Sequence, residues 1–167
     1  MHKTSQSFIA ACLCVACGWA AAGTATVVFV QPENFGDAGH DRALPTPRDR
    51  AQVQQELARH LERLAADRLA ADASIAIEVL DIDLAGQFEP VRGGEEVRVI
   101  RDVTGPRIRL RYVLTQGSRV VGAGEERVSD INFLTNWNPY PAADRLRYEK
   151  AMLDRWFARN FGALAKG

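Results

Sequence analysis

The stretch RIRLRYVLTQGSRVVGAGEERVSD, Arg107 to Asp130, constrains the fold more than any other part of the chain. Its first arm alternates strictly: Ile108, Leu110, Tyr112 and Leu114 share one face, and Arg107, Arg109 and Arg111 share the other. A period of two belongs to a strand with one buried face. Gln116-Gly117-Ser118 supplies turn chemistry, so the stretch reads as a β-hairpin. Gly122 and Gly124 weaken the return arm and predict a bulge or a close backbone approach.

The other elements are read from the same kind of periodicity. Thr24 to Pro32 is β-branched and aromatic until Pro32 stops it, which predicts a first strand. Thr46 and Pro47 read as N-cap and first helical residue, with Asp49 in the first turn. Val53, Leu57, Leu61, Leu64, Ala65 and Leu69 then form a helical stripe ending near Ala70. Ser74 to Leu84 and Glu96 to Asp102 are further strands, and a last helix is expected from Ala142 to Leu164. Its stripe is Leu146, Met152, Leu153, Trp156, Phe157 and Phe161. The order is β-α-β-β-β-β-α, with a parallel crossover between the first two strands and antiparallel pairing after them. That is an α+β two-layer sandwich: a mostly antiparallel sheet of four or five strands, with two long helices on one face.

The N-terminus has a different character. Met1, His2 and Lys3 precede the apolar run FIAACLCVACGWAAA, Phe8 to Ala22. Small residues then offer two cleavage points, before Gly23 or before Thr26. This is the layout of a secretory signal peptide, with 1–25 as leader and 26–167 as a single domain, and it predicts a periplasmic location. Cys12, Cys14 and Cys17 all lie in the leader, so the mature domain has no cysteine for disulfide, redox or thiolate–zinc chemistry. A lipobox at Cys12 or Cys17 is the alternative, giving a lipid-anchored accessory subunit. Without Lys3 the domain has 20 basic and 21 acidic side chains, a net charge of −1. That balance gives no footprint for nucleic acid. No later apolar run is long enough for a transmembrane segment.

Five ordered blocks carry a resemblance: VVFVQPENFGD (27–37), IEVLDIDLAG (77–86), RDVTGPRIRLRY (101–112), GEERVSDINF (124–133) and YEKAMLDRWF (148–157). Together they resemble the bacterial family catalogued as domain of unknown function 3016, over about Thr26 to Phe161. The resemblance implies exported proteins of Gram-negative bacteria and brings no reaction, ligand, cofactor or catalytic residue. It also implies an aromatic residue before the Pro106-Arg107-Ile108 step, where this chain has Gly105. A packing contact is therefore expected to be missing in that turn.

Candidate sites are sparse. Asp81 and Asp83 are i and i+2 on a strand, with Cα atoms about 7 Å apart. That spacing suits a carboxylate hydrolase, metal-assisted or not. The apolar parity switches between Val79 and Leu80, however, which predicts a bulge that turns Glu78, Asp81 and Asp83 outward. There they would form a charge ladder with Arg107, Arg109 and Arg111, each exposed pair contributing about 0.2–1 kcal/mol. Asp37 and His40 are weak metal candidates in the DAGHD loop, His60 a half-buried packing residue, and Ser129-Asp130 a turn-forming strand end. Trp137 and Tyr140, among Asn136, Asn138, Pro139 and Pro141, suit stacking on a sugar ring or anchoring a peptide. The packing alternative makes Trp137 a staple on the last helix, with Pro141 near its first turn. Glu149 and Lys150 either bind other elements or are solvated.

No complete catalytic constellation is present. The sequence therefore predicts a non-catalytic binding or adaptor domain of the cell envelope, without cofactor, whose partner is an envelope protein or a small ligand.

Overall fold

The computed structural model describes residues 22–41 and 43–162. Residues 1–21 of the expected leader, with all three cysteines, and the expected last residues of the final helix lie outside the described residues. Strand β1 (Thr24–Phe29) leads to helix α1 (Pro47–Arg68), and β2 (Ala73–Asp83) follows. Two short strands, β3 (Gln87–Pro90) and β4 (Glu96–Val99), precede the hairpin β5 (Arg107–Gln116) and β6 (Arg119–Ser129), and α2 (Arg147–Phe161) closes the domain.

The main sheet has the order β1-β2-β5-β6. β1 runs parallel to β2, and the other pairs are antiparallel, so the α+β sheet is mixed. Both helices cover one face. Val53, Leu57, Leu61, Leu153, Trp156 and Phe157 pack there against Ile75, Ile77, Val79, Ile108, Leu110 and Leu114 in one continuous core. The opposite face is open to solvent: Val28, Glu78, Arg109, Arg111, Val113 and Glu125 are all exposed on it.

Both parity breaks are where the residues place them. The β2–β5 register slips between Val79 and Asp81, leaving Leu80 as the extra residue. That bulge lets Ile82 rejoin the core while Asp81 and Asp83 stay outward. The β5–β6 register slips beside Gly122, where Leu114 faces Gly122 and Thr115 faces Val120. At Gly124 a Cβ would lie 3.3 Å from the Tyr112 ring, a close backbone approach.

Three expectations are corrected. Glu96–Val99 does not join the main sheet; it pairs with Gln87–Pro90 as a separate ribbon. Its turn uses Gly93 and Gly94, both with positive φ, and the four-residue strands offer no apolar row for the core. Helix α2 begins at Arg147 rather than Ala142, because Asp144 organises the preceding turn. Its carboxylate accepts the Leu146 amide at 3.0 Å, and its carbonyl accepts the Arg147 amide at 3.2 Å. Finally, the turn at Gly105 is filled. A Cβ there would lie 2.6 Å from the Asp130 carbonyl and 3.2 Å from the buried Phe133 ring. Phe133 supplies the aromatic packing, edge-on to Tyr148 at 4.9 Å.

Candidate functional site

The loop after β6 is polar in composition yet firmly anchored. Asp130 accepts the Asn132 amide and the Asn136 side-chain amide, both at 3.0 Å, and is ion-paired with Arg155 of α2. Asn138 accepts the Tyr140 amide at 3.0 Å and donates to the Arg147 carbonyl at 3.1 Å. Arg155 also donates to the Trp137 carbonyl at 3.4 Å. Side chains that bond local backbone in this way fix a turn without regular secondary structure.

Tyr140 turns inward. Its hydroxyl donates to Asp154 Oδ2 at 2.7 Å, and its ring meets His60 edge-on at 5.7 Å. His60 Nε2 lies 2.8 Å from Asp154 Oδ1. Burial, then the hydrogen bond to Asp154, push the Tyr140 phenol far above its ordinary value. Burial works to raise the Asp154 carboxyl, but hydrogen bonds from His60 and Tyr140 outweigh it and hold the group below the usual carboxylate range. Asp154 is thus an ionised anchor between α1, α2 and the loop. His60 is more than a half-buried packing residue: it is almost fully buried and is part of that anchor.

Trp137 is left outside. It is 81 % exposed, so it is not a staple on α2; Tyr140 takes the inward place, and Pro141 lies well before the helix. Beside it opens a cleft of about 410 Å³ lined by Arg68, Trp137, Pro139, Ala151, Asp154, Arg155 and Ala158. The alanines leave the helix surface low, and the loop raises a tryptophan at its rim. Aromatic rings offer a large apolar surface at small conformational cost, which suits stacking or anchoring. Arg68, Arg155 and the ionised Asp154 line the walls, and Arg155 is already ion-paired with Asp130.

The structure brings Asp130, Trp137 and Tyr140 into one loop and places the remaining candidates elsewhere. Asp83 is ion-paired with Arg107. Asp81 is opposite Arg109 in the register and accepts the Gly36 amide at 3.0 Å. Arg111 bridges Glu78 at 2.9 Å and Glu125 at 3.0 Å, forming the cross-strand ladder on the open face. Asp37 bridges the Asp83 backbone, but its carboxylate is held by Arg98 through two contacts of 2.8 Å. His40 Nδ1 is 3.5 Å from Asp41. Among the described residues no group of three or more His, Cys, Asp and Glu is arranged to hold a metal ion, and no helix is long and apolar enough to cross a membrane.

Sequence reasoning missed a second buried polar centre at the start of α2. Glu149 is 1 % exposed; its Oε1 accepts the Ala85 amide at 2.7 Å, and Oε2 has no partner among the described residues. Burial pushes its carboxyl up to about 7. Arg98, its side chain 8 % exposed, donates to the Ala85, Gly86 and Gly39 carbonyls besides Asp37. Lys150 is buried too and sits 2.7 Å from Asp144. Glu149 and Lys150 therefore bind other elements. The signal was available: Glu149 and Lys150 precede Leu153 by four and three positions, which puts both on the apolar face of α2.

Neither the curated proteins nor the solved structures contain a match to this chain. The family model described as a protein of unknown function, DUF3016, matches residues 23–159, from β1 to the last turn of α2. Over that span, which holds both buried polar centres and the Trp137 loop, the chain belongs to the DUF3016 family.

Proposed function

We propose that this chain is an exported periplasmic domain that binds rather than catalyses, and that Trp137 and the adjoining cleft are its contact with an envelope partner or small ligand. The observation that carries the reading is an exposed indole on a pinned loop. Trp137 is 81 % exposed although Asn138 and Tyr140 are hydrogen-bonded to α2, and Asn136 to Asp130, itself ion-paired with Arg155. Holding a large apolar side chain in water gives nothing to the stability of the monomer, whereas a pre-ordered aromatic lowers the entropy lost on binding. Asp81 and Asp83, the carboxylates of a hydrolase reading, are engaged by Gly36 and Arg107.

The test is affinity capture from envelope extract with the mature domain and with Trp137→Ala. The reading expects a saturable partner retained by the native domain and lost, at least tenfold, with Trp137→Ala. Equal retention by both proteins would refute it. Intact mass of the exported protein addresses the lipid-anchored alternative, since a diacyl modification would be read directly.

A further inference from the structure

Two leader cleavage points are equivalent in sequence, after Ala22 and after Ala25, but they are not equivalent in the fold. Gly23 is buried. A Cβ on it would lie 2.4 Å from Leu69 Cβ, 2.9 Å from the Ala65 carbonyl oxygen and 3.1 Å from the Ala70 carbonyl oxygen. The main chain at residue 23 is thus pressed directly onto the end of α1, an approach only glycine permits. β1 starts at the next residue: Thr24 pairs with Ser74 and Ala25 with Ile75, and Ala25 packs on the core. Ala22, by contrast, is exposed and lies outside any strand.

We infer that the leader is removed between Ala22 and Gly23, so that the mature domain begins with Gly23. The inference rests on the export reading above. A cut after Ala25 would remove the buried glycine and two of the six residue pairs joining β1 to β2. A cut after Ala22 removes nothing that the fold uses. Ala20 and Ala22 supply the small side chains that a leader-cleaving protease needs at its third and first positions before the cut. The reaction is a hydrolysis. Water adds across the Ala22–Gly23 amide, Ala22 leaves with the carboxylate, and Gly23 keeps the nitrogen as a free α-amino group.

The test is expression of the full chain in a Gram-negative host, followed by intact mass and N-terminal sequencing of the periplasmic fraction. The inference expects Gly23 as the first residue, both in the native chain and in Ala25→Leu, whose bulky side chain would block only the second site. Cleavage is read from mass, so the result does not require the variant to fold. A native chain starting at Thr26, or an Ala25→Leu chain that stays uncleaved, overturns the site and leaves export standing. A chain that keeps its leader or carries a diacylated cysteine overturns the site and the cleaved-export reading together.

Discussion

Glu149→Gln isolates the buried carboxyl that ties α2 to the turn after β2. In the native protein the carboxyl accepts the Ala85 amide, faces Arg98 from β4 and Asp144 from the turn before α2, and is fully enclosed. Burial raises its pKa from 4.5 to about 7. Between those values the folded protein keeps a proton that the unfolded chain has released, so stability falls as pH rises. The contribution is fully present below pH 4.5 and lost above about pH 7. At 1.36 kcal/mol per pKa unit the whole change is on the order of 3 kcal/mol. For a domain of this size that corresponds to roughly 10 °C in Tm. Glutamine keeps an oxygen for the Ala85 amide and carries no charge at any pH, so it mimics the protonated state. Thermal unfolding followed by circular dichroism from pH 5 to pH 8 should show the Tm of Glu149→Gln rising relative to the native protein. The difference should be small at pH 5 and near its full value at pH 8. Asp144 and Asp154, held below the usual carboxylate range, lose their contribution only in acid, outside this window. A native Tm that is flat or rises from pH 5 to pH 8, or a difference that does not change with pH, would refute the reasoning.

Other substitutions separate packing from surface charge. Gly105→Phe forces a side chain against the Asp130 carbonyl and the Phe133 ring, and should lower stability by about 1–3 kcal/mol in urea unfolding. Asp83→Ala removes an exposed ion pair and should change stability by about 1 kcal/mol or less in the same assay. Asp154→Asn disturbs the anchor shared by His60 and Tyr140 and should lower stability by about 1–3 kcal/mol. It should also speed hydrogen exchange at Tyr140 more than in β5. An effect of Asp83→Ala larger than that of Asp154→Asn would invert the account.

The main sheet was legible because its signals are local. Ile108, Leu110, Tyr112 and Leu114 alternate without interruption, and the parity switch at Leu80 announced the bulge that the β2–β5 register contains. The β3–β4 ribbon was not legible as a unit. QFEP and EVRV are four residues each, half of them exposed and none buried, and stabilised by partners such as Arg98–Asp37, 61 residues apart. The candidate site divided along the same line. Asp130, Trp137 and Tyr140 are close in sequence and form one loop, so composition pointed to them. Which aromatic turns inward depends on Asp154 and His60, which come from two helices. The Glu149 centre depends on a contact across 64 residues, although its position on the stripe of α2 marked it as buried.

Two tryptophans lie among the described residues, Trp137 exposed at the cleft and Trp156 fully buried, and their indole N–H groups make a matched pair of probes. Trp156 donates to Glu126 at 2.9 Å inside the domain, whereas Trp137 stands in solvent. A proton–nitrogen correlation spectrum of the labelled domain from residue 23 onward, titrated with envelope extract and assigned with Trp137→Phe, reads both at once. The account predicts that the Trp137 resonance shifts or broadens saturably while the Trp156 resonance stays in place. A Trp137 resonance that remains unchanged while signals elsewhere in the domain respond would contradict it.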